Sequence, residues 1–339
     1  MISLQAKIWY QRAGILSEET SESNKKASPD TKGKLHELLV GYHLNHGKHM
    51  EKHKDKEGDS PEQAHDKLKH TVDSKEYDTV NKRAKSAADD IRKRIEGQGH
   101  KVTHVHWTSK PGDIEKSTGI KSSQKDDASD IIVHSKKGSK IKHHGISLKV
   151  SDKSTKHVPA SNPGIESTHG GEHILNKHRE SLHNVYPILK HLSPTERREK
   201  MKSDHKFSAD VKHRNERVLK DISSNLHDKL NKMKPHELVH HIKTHVLQAN
   251  PTPLQNAGHE HIRHTTSTKS DGSFEHHSVD PSHHWHHILN EPHHITTQNT
   301  GTGVSFLHKG HKFASHRIKF GSQSDPLSSI KGSGQAHGD

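Results

Sequence analysis

Near Gly97-Gln98-Gly99 the spacing of apolar residues changes, and that change constrains the fold more than any other feature of the chain. Upstream, Tyr77, Val80, Ala84, Ala87, Ala88, Ile91 and Ile95 recur every three or four residues, the stripe of an amphipathic helix that closes at the glycines. Leu35, Leu38, Leu39 and Tyr42 form an earlier stripe of the same kind, starting near Gly33. Downstream, Val102, Val105 and Trp107 lie in a short strand-like run, followed by a polar connector over 109–127. Then come Asp130-Ile-Ile-Val133, a turn at 136–139, and Ile141 to Val150, where Ile146, Leu148 and Val150 alternate with Ser147 and Lys149. A two-residue period marks a half-buried strand. Two helices followed by a three-stranded meander is the expected beginning of an α/β domain.

Further along, helical stripes return over 173–191 and across 208–248, where Pro251 and Pro253 end the block. From 259 onward the pattern is again of short β-like runs, including Gly303 to Leu307 and Phe313 to Phe320. The expected organisation is a polar arm over 1–32, a core over 33–190, a helical segment over 191–250 and a β-rich part over 251–320 packed on that core. A Ser- and Gly-rich tail over 321–339 is expected to be mobile. The arm carries one apolar patch, Ile8-Trp9-Tyr10 with Ile15 and Leu16, and residues 46–70 have almost nothing to bury.

Only 26% of the 339 residues are hydrophobic, so the core must be confined to these few segments. No apolar run approaches the roughly 18 residues of a membrane span, and the N-terminus lacks the apolar stretch of a secretory signal. Membrane association and export by a signal peptide are therefore not expected. The absence of cysteine excludes disulfides and thiolate metal sites and fits a reducing compartment. Lys and Arg number 54 against 41 Asp and Glu, a formal charge of +13 with histidine neutral. The 41 histidines are expected to add positive charge as pH falls toward 6. Such a balance points to a polyanionic partner, most simply nucleic acid.

The chemistry concentrates at 127–150, where an acid stands at the edge of one strand, Asp130, and a lysine on the next, Lys149. This pairing suits metal-assisted phosphodiester hydrolysis, with the carboxylate holding a hard divalent cation and the lysine orienting water or neutralising charge on the phosphate. Alternation puts Lys149 on the face opposite Ile146, Leu148 and Val150, leaving one sheet face for the core and the other for a site. The plain alternative is that Asp130 caps a turn and Lys149 is a solvated strand lysine.

At these residues the chain resembles the PD-(D/E)XK, or restriction-endonuclease-like, nuclease superfamily. The resemblance covers roughly 33–190, with the Arg317-Ile-Lys-Phe320 strand as a further candidate, and it implies a core of helix, β-meander and helix with a helical insertion and a C-terminal β-rich segment. It implies that Asp130 is the family's aspartate and Lys149 the lysine of the final motif. Mg²⁺ or Mn²⁺ would be held by Asp130, by the Leu148 carbonyl and by Glu37 as the additional helix acid. The Gly145-Ile-Ser-Leu-Lys149 run followed by Asn162-Pro-Gly164 is similar to phage-encoded members with Ser-X-Lys. That implies a DNA nuclease at work in the cytoplasm of a host cell or in a virion, with double-stranded DNA and other virion proteins as partners. Ser147 departs from the pattern, since an acid is usual there. Ser147 is then a candidate to bond the metal's water, and the second acid falls to Glu37, Asp127 or Asp152. Failing that, the chain is a basic virion or packaging protein that binds DNA on a vestigial nuclease fold. Arg317 and Lys319, on one face of their strand, are candidate phosphate contacts.

His236-Glu-Leu-Val-His240 matches the zinc-peptidase HExxH pattern, but with so many histidines roughly 0.3 such matches arise by chance, and a solvated helix face is the simpler reading. The His283-His-Trp-His-His287 run reads likewise as compositional bias.

Overall fold

Ser28 starts the first described helix by accepting the Thr31 backbone N–H at 3.1 Å, with Pro29 in the first turn and Asp30 beside it. In the computed structural model, which describes residues 27–337 apart from 52–54, 124–125, 152–156 and 162–163, α1 spans Pro29–Leu44. The helix thus begins ahead of Gly33, because Ser28-Pro29-Asp30, assigned to the arm, is its cap. The apolar patch of the arm, Asp152 and Asn162-Pro163 lie outside the described residues. A second helix, α2 (Pro61–Lys69), forms in the segment with little to bury, held by a reciprocal Ser60–Gln63 capping box. The long stripe forms α3 (Ser74–Gly97).

The strands β1 (Lys101–Trp107), β2 (Ile131–Lys137) and β3 (Lys140–Ser151) make the expected antiparallel meander, and a one-turn helix, α4 (Asp113–Thr118), lies within the polar connector. After β4 (His157–Ser161) come α5 (Gly171–Val185), α6 (Pro194–Ser203), α7 (His205–Asn231) and α8 (Pro235–His241), which ends in a π turn over Ile242–Leu247. The stripe read across 208–248 is therefore two helices. Pro235, which offers no N–H, opens the second. A short α9 (Pro253–Asn256) precedes the hairpin β5 (Glu260–Thr268) and β6 (Phe274–Val279), and then come α10 (Pro281–His284) and α11 (His286–Leu289). The chain ends with β7 (Ile295–Asn299), β8 (Gly303–His308), β9 (His311–Phe320) and β10 (Ile330–His337).

The fold is mixed α/β with two five-stranded sheets. The first is mixed, ordered β1-β2-β3-β5-β6, with β5 parallel to β3 and the other pairs antiparallel. The second is antiparallel, ordered β4-β10-β9-β8-β7. Two of the first sheet's strands thus come from beyond residue 259, outside the 33–190 boundary. A parallel partner needs a long crossover, and no local pattern announces which remote segment will supply it. The expected mobile tail is also part of the fold: β10 lies between β4 and β9 and buries Ile330 and Ala336.

The two largest of four apolar clusters among the described residues are separate from each other, in keeping with the sparse hydrophobic content. One joins Leu35, Leu38 and Leu39 of α1 and Ala84, Ala87 and Ile91 of α3 to the first sheet through Val105, Ile131, Ile146 and Ile262. The other packs Ile222, Leu226 and Leu230 of α7 and Ile242 and Val246 of the π turn onto Val304, Phe306 and Ile318 of the second sheet. Histidines fill interior positions as well: His36, His144, His264 and His316 are fully buried. Burial pushes His264 and His316 down to about 3 and His241 to about 2, so these imidazoles stay neutral at pH 6 instead of adding charge as composition suggested.

Candidate functional site

Asp130 stands just ahead of β2, where its backbone N–H donates to the Ile146 carbonyl at 2.8 Å and so fixes it beside β3. Its Oδ2 accepts the Leu148 backbone N–H at 2.6 Å and lies 3.6 Å from Lys149 Nζ. Its Oδ1 has no hydrogen-bond donor among the described residues. Glu37 comes to the same place from α1. It lines a cleft of about 220 Å³ with Leu148, Lys149, Val150, Lys32, Gly33, His36 and Arg83. Burial, and next the charge of Asp130, push the Glu37 carboxyl up to about 8, against the pull of Lys149, Lys34 and the Trp107 indole. Asp130 is also raised above the usual carboxylate range by burial, with Lys149 and the Leu148 N–H opposing.

The structure therefore brings together Glu37, Asp130, Leu148 and Lys149, four residues far apart in sequence except for the last pair. Lys149 lines this cleft with Leu148, Val150 and residues of α1, and β3 runs through it in unbroken parallel register with β5, Lys149 opposite Thr265. Ser147 is buried in register with Arg263 of β5, and its hydroxyl makes no hydrogen bond to Asp130 or Lys149. Asp127 is turned elsewhere: its Oδ1 accepts from Ser129 N–H at 3.0 Å and Ser129 Oγ at 2.5 Å, and it lies 3.3 Å from His261 Nδ1. Burial raises Asp127, but His261 and Ser129 hold it below the usual range, which suits a buried tie between its loop and β5.

Arg317 and Lys319 do not join this site. They stand exposed on β9, the central strand of the second sheet, with Lys319 in register with exposed Lys331 of β10. Their strand is neither an edge nor an addition to the first sheet, because Ile318 and Phe320 on its other face belong to the second apolar cluster. The His236, Glu237 and His240 side chains line a pocket of about 470 Å³ with His169, His241 and His245. Glu237 is accounted for locally, since its Oε2 accepts the Lys234 backbone N–H at 2.8 Å as a helix cap.

Sequence reasoning missed His36 and Arg83. Arg83 interrupts the α3 stripe between Val80 and Ala84, and a lone charge inside an apolar stripe is the signal that marks it. His36 adjoins Glu37 within the α1 stripe and is fully buried, with neither ring nitrogen hydrogen-bonded. Burial, then Arg83, hold it well below its usual range.

The donor set of the cleft fits a hard divalent cation. Glu37 lines the cleft with Lys149, the charge of Asp130 beside them disfavours its ionisation, and one oxygen of Asp130 has no hydrogen-bond donor among the described residues. Oxygen ligands with room for retained waters are what Mg²⁺ or Mn²⁺ requires. Elsewhere, groups of three His, Asp or Glu ligand atoms within 4.8 Å of one another occur at His104/His106/His134, Glu291/His294/His308 and Asp55/Glu57/Asp59. Among the described residues no helix is long and apolar enough to cross a membrane. No family model, curated protein or solved structure matches the chain.

Proposed function

We propose that the chain is a metal-dependent DNA nuclease of the restriction-endonuclease-like type. The observation that carries this reading is a cleft lined by Glu37 and Lys149, with Asp130 paired to Lys149 beside it, the Asp130 charge lifting Glu37 and Lys149 compensating both. The order helix, meander, helices and then a strand parallel to the third supports it. Asp130, Glu37 and the Leu148 main chain are the groups to hold Mg²⁺ or Mn²⁺. When bound, such a cation polarises a phosphoryl oxygen and makes water more acidic. Asp130 is kept in place by the Leu148 N–H, so its free oxygen needs no reorganisation. Lys149 Nζ is within reach of a phosphate seated at Asp130, where it stabilises the negative charge that develops on the phosphoryl oxygens. Lys32 and Arg83, which line the cleft, add positive potential for a nucleic-acid backbone.

A second reading, a basic DNA-binding virion or packaging component on a vestigial nuclease fold, draws on Ser147 and on the exposed Arg317, Lys319 and Lys331. A buried serine supplies no second acid on β3. The test is incubation of the full chain with supercoiled plasmid in Mg²⁺, Mn²⁺ or EDTA beside Asp130→Ala and Lys149→Ala. Metal-dependent nicking lost in both variants is expected. Steeply salt-dependent binding without product, unchanged in the variants, selects the second reading.

A further inference from the structure

The histidines of the first sheet are not scattered. His104 and His106 alternate on β1 and so share a face, and His104 is in register with His134 of β2, which is in register with His143 of β3. A β-bulge creates this alignment. The pairing runs Val102 with Ser135 and then, one residue skipped, His104 with His134. Without that skip, Thr103 would oppose His134 and both β1 histidines would face the other side of the sheet. The His104 ring lies 4.1 Å from that of His134 and 5.1 Å from that of His106, and the His106 and His134 rings are 4.7 Å apart.

From this arrangement we infer that His104, His106 and His134 form a binding site for a borderline-soft divalent metal of the zinc class, with Glu51 as the fourth ligand. His134 is 4% exposed, and its Nε2 has no hydrogen-bond partner although it is buried. Its other nitrogen, Nδ1, lies 2.9 Å from His143 Nδ1. One of these two nitrogens carries the proton. If His134 Nδ1 donates and His143 Nδ1 accepts, His134 Nε2 is left with a bare lone pair in the cluster, the tautomer a metal needs. Glu51 Oε2 lies 3.5 Å from His106 Nε2, and the side chain is largely exposed. Three imidazoles and one carboxylate make a closed tetrahedral set, which is the structural kind of zinc site, and imidazole selects against Mg²⁺. Tetrahedral nitrogens on zinc stand roughly 3.3 Å apart, so ligand atoms now within 4.8 Å must draw together, which half-exposed His104 does by rotating. The ion would clamp edge strand β1 to β2.

The two rival groups lack these features. Glu291 is already engaged by Lys309 at 2.6 Å and by His308 at 2.9 Å. In the acidic group, Asp55 accepts backbone N–H bonds from Glu57 and Asp59 and pairs with Lys34 at 3.0 Å.

The inference is independent of the nuclease reading, and its test reads binding alone. The full chain, stripped with EDTA and dialysed, is titrated with Co²⁺ and then Zn²⁺, following the visible bands of low-coordinate Co²⁺ and the melting temperature. One equivalent of tight metal is expected. His104→Gln and His106→Gln each weaken it at least tenfold and abolish the zinc-induced rise in melting temperature, while His308→Gln changes neither. His104→Gln is the decisive variant, since its half-exposed position tolerates substitution; circular dichroism confirms its fold. The inference is overturned if no stoichiometric metal binds, if both β1 variants bind as the wild type does, or if His308→Gln removes the site.

Discussion

The charge of Asp130 opposes ionisation of Glu37 beside it. At neutral pH the raised proton affinity of Glu37 leaves it largely protonated, so a neutral isostere changes little in the metal-free protein. Glu37→Gln is therefore expected to unfold in urea at pH 7 in EDTA within about 0.5 kcal/mol of wild type, the range of a substitution that breaks no buried network. The same variant is expected to lose plasmid nicking, because an amide is a poor ligand for a hard cation. A Glu37→Gln protein that nicks at the wild-type rate removes Glu37 from the site. The closeness of Lys149 to Asp130 was legible in the sequence because strands joined by a short turn lie side by side. His36 and Arg83 were not, since their importance comes from what α1 and α3 are packed against.

At the scale of elements, the join between β3 and β5 decides whether the first sheet is complete. Glu260, the first residue of β5, accepts from Gln98 Nε2 at 3.0 Å, lies 2.7 Å from His144 Nδ1 and pairs with Lys142 at 3.3 Å. Burial raises its carboxyl, but these partners, His144 foremost, outweigh that and hold it at about 2. A folded-state pKa below the unfolded one adds stability that is complete above about pH 4.5 and disappears as pH falls toward 2. The worth of this shift is about 2–3 kcal/mol after allowance for partial exposure. Urea unfolding between pH 7 and pH 3 is expected to show that loss in wild type and a much flatter profile in Glu260→Gln, which starts lower. Equal slopes in the two proteins would remove Glu260 as the tie between these strands.

The whole molecule consists of two sheets with their own apolar clusters, linked through the helices of the crossover. The second is completed by the last strand. Arg197 of α6 grips Asp325 through Nε at 2.7 Å and Nη2 at 3.0 Å, both side chains nearly buried, and so delivers the chain to β10. Deletion of residues 330–339 unpairs β4 and β9 together and exposes Phe320 and Ile318 on the apolar face. A loss of more than about 3 kcal/mol is expected. Amide-exchange protection should collapse in β9 and persist in β2 and β3, because the first core does not depend on β10. Uniform protection after truncation would mean that the tail is dispensable.

The sequence alone determined the two helices, the meander and the pairing of Asp130 with Lys149, since local periodicity and strand alternation require nothing beyond neighbours in the chain. It also showed that apolar residues were too few for an ordinary core. Only the tertiary structure decided that β5 completes the first sheet in parallel, that Arg317 and Lys319 belong to another sheet, and that Glu37 reaches Asp130 while Asp127 does not. Those outcomes depend on which remote segments bury each other's faces. The histidines mark the same division: composition counted them as titratable surface, and packing made many of them neutral interior residues by removing water from the rings.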